Sequence, residues 1–521
     1  MGLNAASLAV VLAAAGPTAA VAAGNGPDIL KDKCGECHSP VGDGWSRISE
    51  QRKTPEGWLM TIARMQTVHG LKLDDAERRS IVKHLADTQG LAPAEAKPFR
   101  YVLERQPNVV EKHANNFVAE MCARCHTEAR VALQRRTADE WKSLVHFHLG
   151  QFPSIEYHSL SRDRAWFSLA NDTMAPYLAK TYPLKSAAWS KWLAAPKADF
   201  SGEWNVAGRI PGQGDFTGTM AVKQTAADRY EVLLNGRYAD GSSLKASGSA
   251  LVYTGYEWRA KLKADGRSFE QVLAADGDRL DGRMYAAERD EDGMNFSAVR
   301  SSEAAILSVS PSYLKAGSTA QVRIWGSRLD GAVSLGKGVK IGKVISASPS
   351  EMVVEATAAA ARGASSSPVS VGTVKSALPF VVYDKVARLQ VEPSYAVARV
   401  GGNGATPKMG SHFAAIAYAA GKDGKAGTRD DVRIGAVPAT FSAEPFDETA
   451  ANDKDHVFAG RMGSDGRFEP AEAGLNPARK FQTNNAGNLK AVASYSEDGK
   501  TVRGEGRLIV TVQRWNNPPI H

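Results

Sequence analysis

The chain has 521 residues, 43% of them hydrophobic and 23% charged, which is the composition of an ordinary soluble globular protein of about three or four domains. Beyond the first 23 residues no stretch approaches the roughly 20 apolar residues of a membrane span. The formal net charge is +8, but Lys and Arg form no tract, so the balance reads as solvated surface able to steer an acidic partner, not as a nucleic-acid site.

Residues 1–23 are small and apolar and end in Ala20-Val21-Ala22-Ala23, an A-x-A-like cleavage site. No Lys or Arg precedes the apolar run, yet the segment still reads as a secretory signal. It implies export and a periplasmic mature protein.

All four cysteines then fall in two copies of one pentapeptide, Cys34-Gly-Glu-Cys37-His38 and Cys122-Ala-Arg-Cys125-His126. In this motif two thiols form thioethers to the vinyl groups of a haem, and the adjacent His becomes the proximal iron ligand. A zinc ribbon also pairs Cys-x-x-Cys units, but at a gap of roughly 15 to 20 residues. Here a far longer segment separates them, and a His follows each. A two-residue gap is equally poor for a structural disulfide. The expectation is two covalently bound haem c groups, with Cys34, Cys37, Cys122 and Cys125 as thioether donors and His38 and His126 as proximal ligands.

The segment between and after the motifs is duplicated. Thr54-Pro-Glu-Gly-Trp58 precedes Met65, and Thr137-Ala-Asp-Glu-Trp141 precedes His148, at the same spacing. Seven helical steps return a side chain to within about 20° of its starting face. Trp58, Ile62 and Met65 therefore share one stripe, as do Trp141, Leu144, Val145 and His148. Met65 and His148 are the expected sixth ligands, one haem being His/Met and the other bis-His. His69, His84, His158 and Met174 compete for those places, Met60 and His146 fall on other faces, and His113 reads as a surface residue. In each copy a Leu (Leu73, Leu160) opens a further charged helix; the first, Asp74 to Ala86, has acids at its start and Gly90 beyond its end.

After Ala194-Ala195-Pro196-Lys197 the hydrophobic period changes from helical to two. Trp258, Ala260 and Leu262 alternate with Arg259, Lys261 and Lys263, as a half-buried strand requires. Asn235-Gly236, Asp240-Gly241, Asp265-Gly266, Asp276-Gly277 and Asp281-Gly282 read as hairpin turns. Short strands then recur from Ile306 to about Tyr383, among them 322–325 and 368–371, and again from Val386 to the end, closing with 507–512. The expected divisions are a signal at 1–23, a helical dihaem cytochrome domain at 24–196, an antiparallel β-barrel-like domain at 197–302, and immunoglobulin-like sandwiches at 303–384 and 385–521. The acidic, glycine-bearing segment Asp423 to Asp431 lacks a calcium-ligand register and is taken as a surface hairpin without metal.

This order, with the Thr-x-x-x-Trp repeat, resembles the alpha subunit of quinohaemoprotein amine dehydrogenases over the whole mature chain. The resemblance implies no amine-oxidising site here. It implies a scaffold that joins a β-propeller subunit and a small subunit bearing a cysteine tryptophylquinone, as a heterotrimer. Electrons taken by the quinone from a primary amine would pass through the two haems to an external blue copper protein or cytochrome c. All four cysteines are committed to haem, which agrees with a quinone made elsewhere. Two other readings remain at this point: a dihaem peroxidase, and a stand-alone periplasmic electron carrier.

Overall fold

The computed structural model describes residues 25–150, 163–402 and 407–512. The signal segment, Leu160 and His158 lie outside the described residues.

Two helical lobes come first, and the Thr-x-x-x-Trp repeat builds the same unit in each. Strand β1 (Gln51–Lys53) runs into helix α1 (Pro55–His69), and strand β2 (Gln134–Arg136) runs into helix α3 (Ala138–Phe147). Thr54 and Thr137 are the N-caps: each hydroxyl accepts from the backbone N–H three residues on, of Gly57 and Glu140, at 3.2 Å. This satisfies a helix-end donor that would otherwise be left unpaired. Trp58 and Trp141, one turn later, are fully buried. Their indole N–H groups donate to the carbonyls of Gln89 and Tyr182, at 3.0 and 3.4 Å. Helix α2 (Asp75–Thr88) has the acidic start that its sequence suggests, closed by an Asp74–Glu77 capping box.

The two units meet through β1 and β2, which pair antiparallel, Arg52 opposite Arg135. Each lobe keeps a small core of its own. Cys34, Trp58, Ile62, Ile81 and Leu85 pack together in the first. In the second, Trp141, Val145, Trp166 and Met174 pack together with Cys122 against them.

Residues 202–300 form a closed antiparallel barrel of eight strands: β3 (Gly202–Ile210), β4 (Gly214–Ala226), β5 (Arg229–Tyr238), β6 (Ser243–Tyr253), β7 (Glu257–Ala264), β8 (Arg267–Asp276), β9 (Arg279–Ala286) and β10 (Arg289–Arg300). Each pairs with the next, and β10 returns to β3. On β7 Trp258, Ala260 and Leu262 are buried while Lys261 and Lys263 are exposed, as the alternation requires.

Two of the five expected turns are not turns. Asn235-Gly236 lies inside β5 and Asp281-Gly282 inside β9. Their glycines serve close approach instead. A Cβ on Gly236 would come within 2.1 Å of the Phe216 ring, and one on Gly282 within 2.2 Å of the Val272 carbonyl. At Asp265-Gly266 both residues have positive φ, as a hairpin turn of the primed type demands.

Residues 305–383 form two four-stranded sheets facing across a common core that includes Val322, Ile324, Val354, Val369 and Phe380. Residues 388–511 add a three-stranded and a four-stranded sheet around Val391, Phe413, Leu489 and Leu508, with a further small sheet beside them.

The barrel holds the first lobe in place. Thr254 donates its backbone N–H to Asp87 Oδ1 at 2.8 Å and its hydroxyl to the Ala86 carbonyl at 2.9 Å. Arg259 reaches Glu56, at the start of α1, at 2.7 Å. Among the described residues no helix is long and apolar enough to cross a membrane.

Candidate haem-binding site

Cys34 ends a π-helical turn, Leu30–Cys34, and lies in the first-lobe core; Cys37 is exposed. Cys125 is likewise exposed and Cys122 half-buried. Burial first, then the neighbouring Cys37, pushes the Cys34 thiol up to about 11. Burial, then Glu128 and Cys125, pushes Cys122 up to about 12. Both are therefore thiols at neutral pH. A metal ligand or disulfide nucleophile would need the thiolate instead.

The imidazoles share one arrangement. The Nδ1–H of His38 donates to the Ser46 carbonyl at 2.9 Å, that of His126 to the Thr127 carbonyl at 3.0 Å, and that of His148 to the Leu144 carbonyl at 2.7 Å. A carbonyl can only accept, so the proton must sit on Nδ1. The Nε2 lone pair is then free for a metal, as the outer hydrogen bond of an iron-ligating His requires. Burial is the main cause that lowers the proton affinity of both His126 and His148. The charge of Arg130 lowers both further. The second lobe thus carries two partly buried imidazoles, His126 and His148, each with Nδ1–H committed to a backbone carbonyl. The chemistry of this donor set fits a c-type haem.

Met65 lies half-buried on the last full turn of α1, in register with Trp58 and Ile62, which pack on Cys34. His69 is exposed at the end of the same helix, whose chain turns away through Gly70 in the left-handed region. His84 packs against Gly26, where an added Cβ would come within 2.2 Å of its own. Met174 is a fully buried core side chain of the second lobe. Met60 accepts from Arg130 at 3.3 Å, and His146 is exposed and packs edge-on to Phe167. His113 is not a plain surface residue. It is half-buried and paired with Glu128 at 2.6 Å, an attraction that a count of sequence spacing has no means of seeing.

Comparison with known families shows where the chain belongs. Four profiles match in succession: "Quinohemoprotein amine dehydrogenase A, alpha subunit, haem binding" over residues 24–189, then domain II of that alpha subunit over 197–301, domain III over 303–384 and domain IV over 389–520. The chain belongs to the quinohemoprotein amine dehydrogenase alpha subunits. As a member it has a haem-binding domain and is an electron-transfer subunit of a multi-subunit amine dehydrogenase complex.

No curated protein matches this alpha subunit in sequence. Among solved structures it is similar to a de novo designed fluorescence-activating β-barrel, at 24% identity over 19% of this chain and 93% of that one, with a TM-score of 0.18. It is also similar to the extracellular cadherin domains 1–5 of protocadherin gamma B2, at 11% identity over 61% of this chain and 73% of that one, with a TM-score of 0.16.

The sequence reading missed the polar side chains that join the lobes. Arg52 and Arg135 both bind Glu95, at 2.9 and 3.1 Å, and all three are buried. Arg136 pairs with Glu140 at 3.1 Å. Arg52, Arg135 and Arg136 stand in the two short strands that precede the repeated Thr. An aligned pair of basic tripeptides at that place was the one available signal.

Proposed function

We propose that this chain is the dihaem c-type electron-transfer subunit of a periplasmic amine dehydrogenase heterotrimer. Cys34 and Cys37 hold the first haem and Cys122 and Cys125 the second. His38 and Met65 are the axial ligands of the first, His126 and His148 those of the second. A haem, when bound, supplies an iron that gains and loses one electron at a time. The chain supplies the rest. Backbone carbonyls fix the imidazole tautomers, burial keeps His126 and His148 neutral, and the β1–β2 ladder holds the two lobes together.

The single observation that carries this reading is the duplication: two lobes with matching caps and matching tryptophan anchors, each with its own Cys-x-x-Cys-His. Residues 24–196 form the cytochrome domain, 197–302 the barrel domain, and 303–384 and 385–521 the immunoglobulin-like domains. The last three serve as docking surfaces for a β-propeller subunit and for a small subunit that carries the cysteine tryptophylquinone. That quinone takes two electrons from a primary amine. They leave through this chain to a blue copper protein or a cytochrome c. A thioether ligand raises a haem's potential relative to a second imidazole, so the downhill direction runs from the second haem to the first.

The test is purification of the native protein from periplasm, followed by denaturing electrophoresis with haem and quinone stains. Haem stain on this chain, with quinone stain on a separate small chain, is the expected pattern. Haem stain on a solitary chain would reduce the proposal to an electron carrier.

A further inference from the structure

The seam between the lobes holds more positive charge than its own carboxylates balance. Helix α1 presents Met60 and Arg64, one turn apart, to the second lobe. Arg130 donates to Met60 Sδ at 3.3 Å, and the Arg64 guanidinium lies 4.9 Å from the centre of the Phe147 ring. Beside them Lys53 is buried, donating from Nζ to Thr61 Oγ1 at 2.6 Å. Arg136 is buried too, and its partner Glu140 is already shared with Arg47, at 2.8 Å. Among the described residues Lys53, Arg64 and Arg130 form no ion pair with a carboxylate. Cations gathered at one seam repel one another, a cost that a nearby anion offsets.

The position says which anion. Arg130 comes four residues after His126 in the chain, and Phe147, under Arg64, adjoins His148. Both guanidiniums therefore lie on the second lobe's side of the seam, close along the chain or in space to the two histidines proposed for the second haem. Arg130 remains exposed, so its donors stay available. Guanidinium groups match carboxylates in a planar, two-point fashion. A haem carries two carboxylates on one edge.

We infer that Arg64 and Arg130 seat the propionate carboxylates of the haem attached at Cys122 and Cys125, across the seam between the lobes. The inference rests on the dihaem reading above. One arginine comes from each lobe, so the second haem is held in part by the first lobe. The same positive charge disfavours ferric iron and raises that haem's potential.

The experiment takes the native complex with Arg64→Gln, Arg130→Gln and Arg130→Lys. It measures haem content per chain, both midpoints by spectroelectrochemistry, and the propionate-bending bands by resonance Raman. With two haems retained, one midpoint should fall in each Gln variant while the other stays. One propionate band should shift, and Arg130→Lys should recover part of the lost potential. Unmoved midpoints and bands in both Gln variants would overturn the seat. So would equal falls in both midpoints, which mark a general field rather than a contact. One haem per unaltered chain would instead sink the dihaem reading itself. If the Gln variants do not mature, an experimental structure of the unaltered complex decides: propionate oxygens within hydrogen-bond distance of both guanidiniums support the seat, and their absence overturns it.

Discussion

Arg52 and Arg135 stand directly opposite each other in the ladder that joins the two lobes, and the one carboxylate of Glu95 accepts from both. Three buried charges are satisfied only together. Glu95→Gln would leave two guanidiniums buried around a neutral amide, and a broken buried pair costs about 3 kcal/mol or more. Urea unfolding of the purified protein should show a loss of that size. A change below about 0.5 kcal/mol, the range of ordinary surface substitutions, would mean the ladder does not depend on Glu95.

The same group gives an acid signature. Burial pushes the Glu95 carboxyl up, but the Arg52 hydrogen bond, the Ala92 N–H and the charges of Arg52 and Arg135 together outweigh it and hold it at about 2. A free Glu titrates near 4.3. The folded value is the lower one, so its stabilisation is complete above about 4.3 and is lost as pH falls from there towards 2. The Glu95→Gln protein should therefore lose less stability than the unaltered protein between pH 5 and 3. Parallel acid limbs would contradict this.

The repeated threonines make a paired prediction. Thr54→Ala and Thr137→Ala each remove a cap to a backbone N–H, so each should cost about 1 kcal/mol in chemical denaturation. A large cost in one lobe and none in the other would argue against equivalent roles.

These threonines also mark how far the sequence could be read. The Thr-x-x-x-Trp spacing identifies a repeated helix and the face that meets Cys34 or Cys122, because cap and core positions are local features of one helix. The alternation in β7 is local in the same way and places Trp258 inside the barrel. Asn235-Gly236 fails as a turn because its glycine answers to Phe216 on the neighbouring strand, a partner that local chemistry does not name. Glu95 and its two arginines escape for the same reason. They are brought together only when β1 pairs with β2. Met65 and His148 are candidates on register alone, and the carbonyl that fixes the His148 tautomer is visible only in the fold.

In the proposed arrangement, axial ligation sets the two haems apart. With Met65 and His148 as sixth ligands, a redox titration should resolve two midpoints. Met65→His should lower the upper one and His148→Met should raise the lower one. Coincident midpoints, or a substitution that moves neither, would remove the assignment.

Gly236→Ala puts a methyl group against the Phe216 ring inside the barrel. Overpacking of this kind costs about 1–3 kcal/mol. Adding Phe216→Leu should return part of the loss, so the double variant should be more stable than the sum of the single changes. Strict additivity in denaturation would show that the two side chains do not meet.

Seven of the eight pairings in the barrel join strands that follow one another along the chain, and the eighth joins its two ends, β10 to β3. The seven hairpins can zip locally, but the last seam must wait until everything between is in register. At that seam Arg300 lies over the Trp204 ring, 4.6 Å from its centre, and its guanidinium donates to the Ser201 carbonyl. Contacts between distant parts of a chain are the slow ones to form. Closure at Trp204 and Arg300 is thus the step at which the barrel stops being a curling sheet with two sticky margins and becomes a surface with none.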